Sequence, residues 1–226
     1  MTLVLYRLGR VDSTQAFLER HPELGPCGVL AGCQTAGRGQ RGNRWESAPG
    51  AGLWLSARLP VPPLPPGVVL QRAMAAVAEV LEPWGADLGL KWPNDLVAWR
   101  GGRLVKLGGI IGQIRGDHLV LGAGVNLASA PVIPGRPIQP ACLADLLPAG
   151  EALPDPQVLA PEILAAWEDL ETGREPLFRW PGAGDPIRWE QGEGVCAGWL
   201  EDGRLAVNTP AGVQNLVAGE VGGLGG

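Results

Sequence analysis

Apolar and polar positions alternate along this chain in short runs that predict many strands and few helices. The run from Leu3 to Leu8 predicts a first strand over residues 3–8. Asp12 or Ser13 then caps a helix from Thr14 to about His21, which Pro22 ends. Strands follow over 28–33 and 53–59, and in the latter Leu53, Leu55 and Ala57 share one face while Trp54 and Ser56 share the other. Val69, Ala73, Val77, Val80 and Trp84 recur at spacings of three and four, which predicts a helix. Residues 88–127 read as strands broken by Pro93-Asn94-Asp95, by Arg100-Gly101-Gly102-Arg103 and by Arg115-Gly116-Asp117. Turns that short join only antiparallel neighbours, so this segment is a meander.

Prolines 131, 134, 137 and 140 exclude helix and central strand and mark a loop. Ile163, Ala166, Trp167 and Leu170 share one face of a helix predicted over 162–171, which Gly173 stops. Short strands over 187–189, 194–200, 204–209 and 214–218 then predict a small barrel or sandwich, too short to be stable unless it packs on the rest. The expected fold is α+β: a mixed, mainly antiparallel sheet with helices on one side, not a parallel doubly wound sheet, followed by a small β unit.

Composition adds limits. With 226 residues, 46% of them hydrophobic, and nine tryptophans, the chain can bury one full core and a small second one. A net charge of -5 argues against a nonspecific nucleic-acid binder, so clustered arginines must act locally. Cys27, Cys33, Cys142 and Cys196 show no C-x-x-C spacing, which points to reduced thiols in place of a zinc site or a disulfide framework. The N-terminal segment lacks the apolar run of a signal peptide and no stretch approaches a membrane span, so the expectation is a soluble cytoplasmic protein.

The densest chemistry lies in Gly37-Arg38-Gly39-Gln40-Arg41-Gly42, which has the spacing G-x-G-x-x-G. A dinucleotide fingerprint needs a helix behind it and an acidic residue about 20 positions on. Instead Asn43-Arg44-Trp45-Glu46-Ser47 runs into Ala48-Pro49-Gly50, and the next acidic residue after Glu46 is Glu79. The segment is therefore a loop between strands. Lys91 ends a predicted strand, and Gly108-Gly109 and Gly122-Ala123-Gly124-Val125-Asn126 lie on neighbouring ones. Converging glycine-rich backbones and cations suit a ligand with phosphate, carboxylate or both. Blander roles exist for the same residues: Ser13 as a helix cap only, Lys91 as a snorkelling edge residue. With only His21 and His118, a histidine-based triad or metal site is disfavoured, and the P-loop signature is absent.

Ser13-Thr14, QTAGRGQRGNRW from Gln34, KWPND from Lys91, KLGGIIGQ from Lys106 and GAGVNL from Gly122 together resemble, in order and spacing, the biotin protein ligases. The likeness extends to GWLEDGRLAVNTPAGVQNLVAGEV, which is similar to that family's SH3-like barrel. The resemblance implies a class II aminoacyl-tRNA synthetase-like catalytic domain over 1–181 and an SH3-like domain over 182–226, in the short form without a DNA-binding winged helix. It implies ATP-dependent transfer of biotin, through biotinyl-AMP and with Mg²⁺, to a biotin carboxyl carrier protein of acetyl-CoA carboxylase. No DNA or membrane partner is expected, and a homodimer is allowed.

By carry-over, Lys91 and Arg38 are the catalytic cations. Ser13, Thr14, Gln15 and Gln34 would hold the ureido end of biotin, with Arg38, Gly39, Gln40, Lys91, Gly108 and Gly109 completing its site. Arg38, Arg41, Asn43, Trp45, Lys91 and Asn126 would bind ATP. Gln40 and Asn43 stand where the family often has arginine, so Arg41 and Arg44 are candidates to supply that charge. Rival readings are a lipoate or octanoate transferase of the same fold, a nucleic-acid-binding module built on the arginine loop and tryptophans, and a protein that sequesters biotin without ATP.

Overall fold

The computed structural model describes residues 3–223, so the outermost residues of both expected domains, 1–2 and 224–226, lie outside it. The first sheet has eight strands among the described residues: β1 (Val4–Leu8), β2 (Cys27–Ala31), β3 (Gly52–Pro60), β4 (Leu88–Lys91), β5 (Asp95–Arg100), β6 (Arg103–Arg115), β7 (His118–Asn126) and β8 (Arg179–Trp180). Their order is β1-β2-β3-β7-β6-β5-β4-β8. The meander β4 to β7 is antiparallel throughout. Gly101 and Gly102 have φ of 56° and 77°, the left-handed pair that a two-residue hairpin requires. Parallel pairing occurs at both edges, where β1 meets β2 and β8 meets β4. Parallel neighbours need a long crossover, and helices supply it.

These helices are α1 (Thr14–Arg20), α2 (Pro66–Leu81) and α3 (Pro156–Glu168). They cover both faces of the sheet, not the one face expected. Leu53, Leu55, Ala57 and Leu59 of β3 pack with Met74 of α2 and Ile163 of α3 in the main core. On the opposite face Leu18 of α1 packs with Cys27, Val29 and Val120. Buried Arg58, on that second face, donates to the carbonyls of Leu18, His21 and Pro22, satisfying the C-terminal end of α1 that burial would otherwise leave unpaired.

α3 begins at Pro156, earlier than the apolar stripe suggested, with Asp155 capping it by accepting from the Gln157 N–H at 2.8 Å. Pro161 lies inside this helix, on its exposed side.

The second sheet holds β9 (Pro186–Trp189), β10 (Gly192–Trp199), β11 (Leu205–Thr209), β12 (Gly212–Leu216) and β13 (Gly222–Gly223), in the order β12-β11-β10-β9-β13. Its own core contains Ile187, Trp189, Cys196, Leu205, Val207 and Val221, joined by Trp92 from the turn between β4 and β5. No described helix is long and apolar enough to cross a membrane.

Candidate functional site

A cleft of about 250 Å³ opens on the α1 face of the first sheet, between the N-terminus of α1, the glycine loop, the proline loop over 130–141 and the segment after β12. One end is polar and uncharged. Ser13 caps α1, its Oγ accepting from the Ala16 N–H at 3.4 Å. Thr14 Oγ1 lies 2.7 Å from Ser56 Oγ on β3, and Gln34 Oε1 accepts from the Thr14 N–H at 2.8 Å. Gln34 Nε2 in turn donates to Ser47 Oγ at 2.8 Å. Gln15 Nε2 donates to the Ile111 carbonyl at 3.3 Å, while its Oε1 is buried with no partner among the described residues. Gly122 makes room for that amide: a Cβ there would lie 2.9 Å from Gln15 Nε2.

The other end is cationic. Lys91 ends β4 and Asp95 begins β5 across the Trp92–Asn94 turn. Asp95 Oδ1 is 2.7 Å from Lys106 Nζ, and its Oδ2 is 3.8 Å from Lys91 Nζ. One carboxylate thus holds two ammonium groups. They differ in access, since the Lys91 side chain is 3% exposed and that of Lys106 is 30%. Burial pushes the Lys91 ammonium to a lower pKa than an ordinary lysine, opposed by Asp95. Lys106 also stands 5.6 Å from the Trp45 ring centre.

Lys106 is absent from the expected site residues, and Gly108, which was expected there, does not line the cleft. Both outcomes have one cause. Asp95 pairs with Gly109 and Leu96 with Gly108, but Val97 pairs with Lys106, so β6 bulges by one residue. The bulge brings Lys106 and Gly109, three apart in sequence, to the cleft face. Gly108 is turned toward the α2 side with its partner Val125, where a Cβ would lie 2.7 Å from the Gly124 carbonyl oxygen.

The glycine loop folds back on itself. The Gly39 N–H donates to the Asn43 carbonyl at 2.7 Å, and the Trp45 N–H to the Gly37 carbonyl at 2.9 Å. Residues 40–42 form one 3-10 turn in which Arg41 has φ of 56°. Arg38, Gly39, Gln40, Arg41, Asn43 and Trp45 all line the cleft. Their charges diverge, however. Arg38 Nη1 pairs with Glu19 Oε2 on α1 at 2.8 Å, and Arg44 Nη2 donates to the Thr35 carbonyl at 3.1 Å. Arg41 reaches across the cleft, its Nη2 3.5 Å from where a Cβ on Gly219 would stand.

Trp45 approaches the sheet closely because Gly124 has no side chain: a Cβ there would be 2.4 Å from the indole Nε1. That Nε1 and Asn126 Oδ1 are both buried and unpartnered among the described residues, while Asn126 Nδ2 donates to the Ala141 carbonyl at 3.2 Å. The proline loop is tied to Lys106 by two backbone bonds, Lys106 N–H to the Gln139 carbonyl at 2.9 Å and Ala141 N–H to the Lys106 carbonyl at 2.8 Å. Its Arg136 Nη1 donates to Glu220 at 3.0 and 3.2 Å. Gly219 and Glu220, from the second sheet's last connection, complete the rim and were not legible as site residues.

The arrangement suits a molecule with a neutral polar head, an acidic tail and a planar ring. No three His, Cys, Asp or Glu side chains gather as a metal cage among the described residues.

Against known proteins, the profile of the Biotin/lipoate A/B protein ligase family matches residues 8–126. The chain is 32% identical to the biotin--[acetyl-CoA-carboxylase] ligase of Paracoccus denitrificans, over 95% of this chain and 98% of that protein. It is 35% identical to the Mycobacterium tuberculosis protein of the same name, over 62% of this chain, and the match spans about half of that relative, 52%. A biotin protein ligase from Aquifex aeolicus, solved in complex with biotin and ATP, superimposes with a TM-score of 0.75 at 25% identity, covering 97% of each chain.

Proposed function

The chain belongs to the biotin/lipoate A/B protein ligase family, and on that premise we propose that it joins biotin to a lysine of a biotin carboxyl carrier protein, using ATP and passing through biotinyl-5'-AMP. The observation that carries this reading is the polarity of the cleft. Neutral hydrogen-bonding groups, among them the unpartnered Gln15 Oε1, stand at one end, and Lys91 and Lys106 at the other, in a chain of net charge -5. Biotin has that shape, an uncharged ureido head and a carboxylate tail. The names of the Paracoccus and Mycobacterium relatives support biotin over lipoate and acetyl-CoA carboxylase as the source of the acceptor.

In the first step a biotin carboxylate oxygen attacks the α-phosphorus of ATP, a P–O bond forms and pyrophosphate leaves. Thr14, Gln15, Gln34 and Ser56 hold the ureido head, which fixes how far the carboxylate extends into the cleft. Lys106, and Lys91 behind it, stabilise the charge that two approaching anions share. Asp95 holds both ammonium groups in place. Trp45 and Asn126 offer a flat ring and an unmet acceptor to the adenine side. Arg38 must leave Glu19 to contact phosphate, and Arg41 already faces the cleft. Mg²⁺ enters as part of MgATP, with the phosphates as its ligands, since Asp95 is engaged by the two lysines.

In the second step the neutral amine of the acceptor lysine attacks the carbonyl carbon, the C–O bond to AMP breaks and a proton is released. We assign this chemistry to residues 1–181, with 182–226 as a separate SH3-like domain that contributes Gly219 and Glu220 to the rim.

The test is acyl selectivity. Purified protein, MgATP and a biotin carrier domain are incubated with biotin, lipoate or octanoate in turn, and the carrier mass is measured. The proposal expects ATP-dependent addition of biotin alone. Transfer of lipoate or octanoate without biotin transfer would reassign the substrate, and salt-sensitive heparin retention without any transfer would favour a nucleic-acid-binding role.

A further inference from the structure

Two tryptophans connect the second sheet to the cationic end of the cleft. Trp92 follows Lys91 in the chain but takes no part in the cleft wall, being fully buried in the second core with Ile187, Trp189, Leu205 and Val221. Its backbone N–H donates to the Trp180 carbonyl at 2.9 Å and its indole Nε1 to the Gly203 carbonyl at 3.0 Å. Trp180 packs against the same core, and its ring centre lies 5.9 Å from Lys91 Nζ. The Gly203 carbonyl also accepts from Gln71 Nε2 of α2 at 2.8 Å. Gly203 itself, with φ of 86°, sits so near the start of α2 that a Cβ would lie 2.6 Å from the Gly67 carbonyl carbon. One turn of the second sheet is therefore keyed both to α2 and to the strand end that carries Lys91.

We propose that Trp92 and Trp180 are positioning residues, through which the second sheet fixes Lys91 at the cationic end of the cleft. The inference rests on the adenylate-forming reading for its catalytic consequence. Its physical basis is separate: the Trp180 ring that lies against the Lys91 ammonium packs on the second core, and Trp92, next in the chain to Lys91, is buried in that core and hydrogen-bonded to Trp180 and Gly203, so a shift of that sheet is felt at Lys91. The charged groups around the ammonium are Asp95 on β5, Lys106 on β6, Arg136 in the proline loop and Glu220 in the last connection. A loosened Trp92 frees Trp180 to move off Lys91 and admits water, and a rehydrated ammonium holds its proton to higher pH.

Three variants test this. Trp92→Phe keeps an aromatic ring and loses the bond to Gly203, Trp92→Leu also loses the ring, and Gly203→Ala adds a methyl outside the cleft. For each, biotin-dependent ATP–pyrophosphate exchange is measured across pH, and the rate of reductive methylation at Lys91 is read by mass spectrometry without substrates. The expected result is faster Lys91 methylation in all three, least in Trp92→Phe. With it come a kcat lowered about tenfold to a hundredfold, a KM for biotin within about twofold and an alkaline limb moved to higher pH. Folded variants with wild-type methylation rate, kcat and pH limb would reduce both tryptophans to packing and overturn the proposal. If Trp92→Leu does not fold, Trp92→Phe and Gly203→Ala decide. No exchange by the wild-type protein would contradict the adenylate reading, whereas the methylation rates would still decide the coupling.

Discussion

Lys91 and Lys106 share one carboxylate, and the division of labour between them follows from access. Lys106 faces the cleft and Lys91 backs it, so both bear on a carboxylate–phosphate pair at that point. Replacing either by Ala should cost about 2.7 to 4 kcal/mol of transition-state stabilisation, roughly a hundredfold to a thousandfold in adenylate formation. Pyrophosphate release at near the wild-type rate by a folded variant would remove that lysine from the reaction. The burial of Lys91 gives the pH dependence its sign. Its ammonium is intact at low pH and is lost as pH rises through a pKa below that of an ordinary lysine, so activity should fall on the alkaline side and Lys91→Ala should abolish that limb. Gln40 is a second residue with a measurable consequence. It lines the cleft as a neutral group where the related loop is often cationic. A charge-assisted hydrogen bond exceeds a neutral one by about 1.4 kcal/mol, so Gln40→Arg should slow release of preformed biotinyl-AMP about tenfold at one fixed salt concentration. Equal release rates in the two proteins would mean Arg41 already supplies the contact.

The elements differ in how firmly they are held. α1 is anchored by Leu18 beneath it and by Arg58 at its end, and it presents Ser13, Thr14 and Gln15 to the cleft from a fixed base. Asp12 and Arg20 clamp its outer side through two bonds of 2.7 Å, and the guanidinium lowers the Asp12 pKa from 3.8 to about 2. The clamp's stabilisation is present above the ordinary carboxyl range and is lost as pH falls through about 2. Both side chains are half exposed, so solvent screening keeps its contribution small. Arg20→Gln should shift urea midpoints slightly at pH 5 and by less at pH 2, where the folded-state carboxyl is half protonated, and an equal shift at both would contradict the clamp. The glycine loop and the proline loop have few apolar anchors by comparison. Both should be cut readily by a protease without ligand and protected by biotin plus ATP; equal cleavage with and without them would contradict ligand-coupled ordering. Apolar spacing made α2 legible in sequence, a cap and a terminal proline made α1 so, and short turn signals did the same for the meander. β8 and β13, two residues each, carry no period to read. The apolar face read for α3 begins only at Ile163, seven residues after the helix starts at Pro156, and the roles of Lys106 and Gly108 were exchanged by a bulge that residue spacing does not reveal.

At the scale of the whole molecule, two sheets enclose one cleft. The first supplies most of its walls. The second contributes Gly219 and Glu220 at the rim, and its core receives Trp92. The small C-terminal unit was legible as strands, but its share in the site was not, because contacts between segments more than a hundred residues apart leave no local pattern. Ser13-Thr14-Gln15 and the glycine loop stand out as short motifs because each is a run of neighbours in the chain, whereas Ser56 and Gly122, which meet Thr14 and Gln15 at the polar end, lie on other strands. The central claim is that the cleft makes and retains a mixed anhydride before transfer. The direct measurement is to incubate the protein with biotin and α-labelled MgATP, isolate it by gel filtration, and then add carrier domain. Label should co-elute as biotinyl-AMP and be released as AMP, one carrier lysine being biotinylated for each AMP. Absence of retained adenylate, or biotin transfer that proceeds without ATP, would contradict the account.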